Sequence, residues 1–202
     1  MKIEHELFLI KDGDFSKSIE FEIIMKEINE GIKCVTWHDP VKFKINPVKM
    51  GNGVFPIKND FIKYLKNRNW LPENKMSLAI GMNPGAIDAV KLTSHGPFAV
   101  EWETGNISSS HRALNKIALG IIQKQIIGGI LILPTRTFSR FLTDRVGNYQ
   151  EIAPYFPMYQ HLSISDGLIA VIGIEHDETD INAPLIPKGK DGNAKKSFFS
   201  EI

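Results

Sequence analysis

Phe98-Ala99-Val100-Glu101-Trp102-Glu103-Thr104, continuing into Gly105-Asn106-Ile107-Ser108, is the stretch on which the fold turns. Its first half alternates with the period of a β-strand. Phe98, Val100 and Trp102 are therefore expected on one face, and Glu101 and Glu103 on the other, ~6–7 Å apart along the strand. Gly105 breaks the pattern, and Asn106 or Ser108 is placed to cap the free N–H groups of a following helix. That helical pattern runs from 108 to about 125. Its apolar positions, Ala113, Leu114, Ile117, Ala118, Ile121 and Ile122, form a stripe wider than one packing surface needs, which leaves part of it for a subunit contact. Residues 126–133 then form an unbroken apolar run closed by Pro134, the pattern of a strand covered on both faces, and residues 168–174 read the same way.

Working outward, Ile87-Asp88-Ala89-Val90-Lys91-Leu92 reads as a strand joined to the first by turn-forming Ser94-His95-Gly96-Pro97. A helix is expected over 16–30, with Ser16 as cap and Gly31 as stop. Val41-Lys42-Phe43-Lys44-Ile45 alternates as a half-buried strand ending at Asn46-Pro47. A helix over 57–68 turns Ile57, Phe61, Ile62 and Leu65 inward. After it come an acidic loop holding Glu73, a strand near 76–80, a short helix around 137–143 and a loop at Asp144-Arg145. Strands mixed with helices in this order predict an α/β fold, a mixed central sheet flanked by helices, with residues 1–202 as a single domain.

Composition narrows the function. A hydrophobic share of 43% and a charged share of 23% describe a globular chain rather than a disordered one. No apolar run approaches the ~20 residues needed to span a bilayer. The first residues lack a signal-peptide core, so the expectation is a cytoplasmic protein. The single cysteine, Cys34, excludes an intrachain disulfide and thiolate zinc centres, and is expected as a small buried apolar group. A net charge of +1 announces no polyanion, but phosphate contact needs a basic patch in the right place rather than a basic total.

The chemistry lies in the acids. If the two neighbouring strands pair, Asp88 joins Glu101 and Glu103 on one face. Three carboxylates so close repel one another unless a divalent cation sits among them. Hard oxygen ligands of this kind favour Mg²⁺, which keeps several waters and leaves room for a phosphate. The N-terminus of the following helix supplies donors to such a phosphate. This is the layout of a metal-dependent phosphodiesterase. Two rivals stand beside it: a glycosidase using the Glu pair as acid and nucleophile, and a catalytically inactive DNA-binding module that keeps the contact loops. Glu175-His176-Asp177-Glu178 with Asp180 is read as a solvated acidic loop rather than a second metal site.

Three blocks carry a closer likeness. They are 101–109 with His111-Arg112, then Leu142-Thr143-Asp144-Arg145-Val146, then Pro184-Leu185-Ile186-Pro187-Lys188-Gly189 with Asp191-Gly192. With the weaker Asn52-Gly53-Val54 and Pro56-Ile57-Lys58, they resemble the BamHI family of type II restriction endonucleases over roughly residues 50–192. The resemblance implies the restriction-endonuclease core fold and a homodimer that cuts both strands of a palindromic duplex with Mg²⁺. It implies the site GGATCC, cut after the first G to leave four-base 5′ overhangs, in a bacterial host protected by a cognate methyltransferase. By the same likeness, Asp88 and Glu101 bind metal with the Trp102 carbonyl, Glu103 stands beside the attacking water, and Glu73 is the fourth acid. The wider nuclease superfamily usually has Lys at the position of Glu103, and this family shares the exception. Asn106, Ser108, Asp144, Arg145, Asp191 and Gly192 correspond to base-reading residues, Arg112 lies near the DNA, and Lys58 lies near the scissile phosphate. The residue types suit these roles, since Arg grips guanine O6 and N7, Asn suits adenine and Asp accepts from cytosine N4.

Overall fold

Gly128–Pro134 and Gly167–Glu175 are buried along their whole length, as unbroken apolar runs require of parallel strands covered on both faces. The rest of the chain is arranged around them in a computed structural model that describes residues 1–76, 85–143 and 145–188. In chain order the elements are β1 (Lys2–Asp12), α1 (Ile19–Lys33), β2 (Lys44–Ile45), α2 (Phe55–Lys66), β3 (Leu71–Asn74), β4 (Ile87–Thr93) and β5 (Gly96–Trp102). They continue with α3 (Ile107–Ile122), β6 (Gly128–Pro134), α4 (Arg136–Ser139), α5 (Tyr149–Ile152), α6 (Phe156–Gln160), β7 (Gly167–Glu175) and β8 (Glu178–Thr179).

Six strands form one sheet in the order β1-β7-β6-β5-β4-β3. β5, β6 and β7 run parallel, while β1, β4 and β3 pair antiparallel with their neighbours. This is the expected mixed sheet flanked by helices. The alternation along β5 divides the interior. Phe98, Val100 and Trp102 pack with Phe21, Ile24 and Ile28 of α1 and Phe61 of α2, whereas Ala99 packs with Leu114 and Ile117 of α3 and Phe156 of α6. The acids of β4 and β5 thus belong to the α3 face.

Several local expectations are corrected. Ser18, not Ser16, caps α1, accepting from the Phe21 N–H at 3.1 Å. Gly31 is no stop but a buried residue inside α1, where a Cβ would lie 3.0 Å from the Phe61 ring, so the missing side chain lets α1 approach α2. Cys34 ends that helix and is exposed rather than buried. The strand at 41–45 shrinks to Lys44–Ile45, paired with β8, and Val41 is exposed. The helix around 137–143 stops at Ser139. Glu73 lies in the edge strand β3 rather than in a loop. The strand near 76–80 falls almost wholly outside the described residues. β1, whose partner is β7, has no counterpart in the sequence reading. The stretch 175–180 is no solvated loop: Glu175 and His176 are buried, Glu175 bonds the Thr135 hydroxyl, and Asp177 accepts from the Phe43 N–H at 2.6 Å. Among the described residues, no helix is long and apolar enough to cross a membrane.

Candidate active site

The β4–β5 hairpin sets the centre of the site. Ala89 faces Val100 and Val90 faces Ala99, so the same register carried one step further sets Asp88 opposite Glu101, on the same face. The Trp102 N–H donates to Asp88 Oδ2 at 2.8 Å, which pins the aspartate against the end of β5. Glu103 lies just past the strand, its N–H still donating to the Ile132 carbonyl at 2.8 Å. Its Oε1 accepts from the Gly105 N–H at 2.6 Å. On the outer edge, Glu73 has a left-handed φ of +47°. All four acids line one open cavity of about 1380 Å³, together with Lys58 and Lys116.

Two lysines hold the carboxylates as they stand. Lys58, on the first turn of α2, donates to Asp88 Oδ1 at 2.6 Å. Lys116 projects from α3 into an ion pair with Glu101, and its ammonium also reaches the Ala86 carbonyl at 3.2 Å. Glu101 and Lys116 are only 6% and 7% exposed. Burial, reinforced by the negative charge of Asp88 and opposed by Lys116, pushes Glu101 up to about 7. Glu103 is also raised, chiefly by burial, against the pull of the Gly105 N–H. A carboxylate whose charge raises its neighbour Glu101, with an ammonium head on each of the two acids, makes a donor set of the chemistry a hard divalent cation takes. Among the described residues no three His, Cys, Asp or Glu side chains are gathered into a ready metal set, although all three expected acids face the same cavity. Each inner acid faces its lysine. The sequence reading missed Lys116, although its signal is legible: a lysine three residues after Ala113 and four before Gly120 falls on the buried face of α3.

Asn106 caps α3, its Oδ1 accepting from the Ser109 N–H at 3.0 Å. Ser108 and Arg112 line the cavity beside the acids, and Arg112 reaches the Ser109 hydroxyl at 3.5 Å. Arg145 is exposed, with a left-handed φ of +67°, and stands outside that lining, as Asn106 does. The loop that carries it is tied to the end of β5, because the Gly147 N–H donates to the Gly105 carbonyl at 2.8 Å. Asp144, Asp191 and Gly192 lie outside the described residues.

A mixed sheet that displays carboxylates on a hairpin beside a helix N-terminus is an architecture that the restriction-endonuclease class shares. The fold matches that of the BglII restriction endonuclease crystallised with a DNA 16-mer, with a TM-score of 0.61 at 14% identity over 88% of this chain and 79% of that one. The family model "Restriction endonuclease BamHI" matches residues 1–193. The type II restriction enzyme OkrAI of Oceanobacter kriegii is 46% identical over 195 residues, 96% of this chain and 99% of that protein. BamHI of Bacillus amyloliquefaciens, also a type II restriction enzyme, is 32% identical over 209 residues, 98% of this chain and 95% of that one. The chain belongs to the BamHI restriction endonuclease family.

Proposed function

We propose that this protein is a Mg²⁺-dependent type II site-specific deoxyribonuclease, folded as one domain and acting in the bacterial cytoplasm as a homodimer. It hydrolyses both strands of a palindromic duplex site, GGATCC, after the first G. The single observation that carries the reading is the Asp88–Glu101 pair, set across one hairpin and facing a cavity that also holds Glu73, Glu103, Lys58 and Arg112. Family membership supports the choice of reaction over glycoside cleavage.

Asp88, Glu101 and the Trp102 carbonyl would hold the cation, with Glu73 close by. When bound, Mg²⁺ supplies Lewis-acid polarisation of a phosphate oxygen and a bound water of lowered pKa. The remaining work falls to the chain. Glu103, aimed by the Gly105 N–H, orients the attacking water and accepts its proton, and burial, which raises its pKa, makes it a stronger base than a solvated carboxylate. Lys58, once freed from Asp88, reaches the scissile phosphate. Ser108 and Arg112 at the start of α3 offer donors to the backbone and bases. Asn106, Asp144, Arg145, Asp191 and Gly192 read the bases, the adjacent Asp144 and Arg145 taking the two partners of one G·C pair. A two-fold protein on a two-fold site gives each subunit one strand. The subunit contact is assigned to the α3 and α6 side. Ala113, Leu114, Ile117, Ala118 and Ile121 are covered within the chain. Tyr155, set edge-to-face against His111 of α3, and Met158 remain exposed.

The test uses plasmid DNA, Mg²⁺ and sequencing of the fragment ends. The wild-type protein is expected to yield discrete fragments with one common end sequence. Glu101→Ala should abolish cutting while leaving a sequence-specific gel shift in place. Unchanged cutting by that variant removes Glu101 from the chemistry, and shifted but intact DNA with the wild type turns the reading to an inactive binding module.

A further inference from the structure

Asn52 carries none of the chemistry assigned above, yet it is 0% exposed and its side-chain amide is engaged with three separate stretches of chain. Nδ2 donates to the Asn46 and Phe141 carbonyls, each at 2.9 Å, and Oδ1 accepts from the Ile186 N–H at 3.2 Å. Its own N–H donates to the Phe141 carbonyl at 2.9 Å. The seam continues on both sides. The Met50 N–H donates to the Arg140 carbonyl at 2.8 Å, and the Gly53 N–H donates to the Ile186 carbonyl at 2.7 Å. A Cβ at Gly53 would stand 2.0 Å from the Pro187 carbonyl oxygen, so only glycine allows this approach.

Asn52's own stretch and the one it grips at Phe141 lead to groups assigned to DNA. Val54 opens α2, whose first turn places Lys58 on Asp88. Leu142, bridged to Asn52, precedes Arg145 by three residues. None of the bonds between these stretches belongs to the main sheet, so the amide and its flanking backbone bonds set their mutual distance. We propose that Asn52 is a positioning residue for sequence discrimination, holding the segment that carries Arg145 and the Lys58 helix in one register without touching DNA. The inference rests on the nuclease reading above and deepens it. Base readout by paired hydrogen bonds is geometric, so a shift of the frame weakens the right contacts and relaxes rejection of the wrong ones. Truncating a saturated buried amide leaves its partners unpaired, which forces such a shift.

The test compares wild type, Asn52→Ala and Ile169→Ala, a core change on the α3 face of the sheet, at a temperature where circular dichroism shows all three folded. The substrates are the duplex site defined by the wild-type fragment ends and duplexes that differ from it by one base pair. In Asn52→Ala the ratio of kcat/KM between its own site and the altered sites should fall by about tenfold or more, and in Ile169→Ala it should stay at the wild-type value. An undiminished ratio in Asn52→Ala overturns the inference, as does an equal fall in Ile169→Ala, which would mark a general loss of stability. If Asn52→Ala does not fold, Asn52→Ser, which keeps a neutral polar group but is too short to reach all three partners, is held to the same criterion. A wild-type protein that cuts no duplex removes the nuclease reading itself, whereas a discriminating wild type matched by its Asn52 variant removes only the role of Asn52.

Discussion

Glu101 occupies a place that resists its charge. Its pKa lies at about 7 in the folded chain against an ordinary 4.5, so between those values the folded state holds a proton that the unfolded state has released. Without metal, stability is therefore lost as pH rises from about 4.5 to about 7. Glu101→Gln removes this dependence. Thermal unfolding in EDTA should show the variant gaining on the wild type across that window, and a constant difference in Tm would show that burial does not act as described. Lys116 supplies the opposite prediction. Lys116→Met leaves a buried carboxylate unpaired, which costs about 3 kcal/mol at pH 8 without metal, read by urea unfolding, with part of the loss recovered in Mg²⁺. Lys58→Met should cost about 1 kcal/mol or less, because that lysine is more open to solvent. Equal losses for the two lysines would mean that the Lys116 pair is not the more deeply buried one.

Among the elements, legibility followed periodicity. The β4–β5 hairpin, the facing of its acids, the start of α3 and the two buried strands could be read because each depends on neighbours in sequence. β1 could not, since its place is set by pairing with β7 far along the chain and its register is broken by irregularities after Ile3 and Phe8. Gly31 carries the local signal of a helix stop, but a tertiary contact decides its role. Asn52 is likewise decided by partners distant in sequence, whereas the spacing of Lys116 along α3 showed its burial but not its partner Glu101. The α1–α2 contact also makes a prediction. Phe61, which meets Gly31, lies 4.7 Å from the Trp102 ring, between centroids. Gly31→Val should push α2 outward, cost about 1–3 kcal/mol, and slow cleavage by shifting Lys58. A variant that is destabilised yet cuts at the wild-type rate would show that α2 moves without the site.

For the whole molecule, the proposed assembly has a direct measurement. Sedimentation velocity should give the wild type a mass twice the chain's 22.7 kDa. Met158→Asp, which sets a charge in the centre of the proposed contact, should give single chains that fail to make paired cuts. A wild type sedimenting as one chain would separate the α3 and α6 surface from assembly. The sheet itself imposes an order in time. β1 is synthesised well before the strand it pairs with, β7, which spans Gly167–Glu175. Closing so long a loop is slow, and the ribosome must have released residue 175 before the sheet can be sealed at that edge. A chain halted before that point would hold the acids of β4 and β5 in a sheet still open along β7.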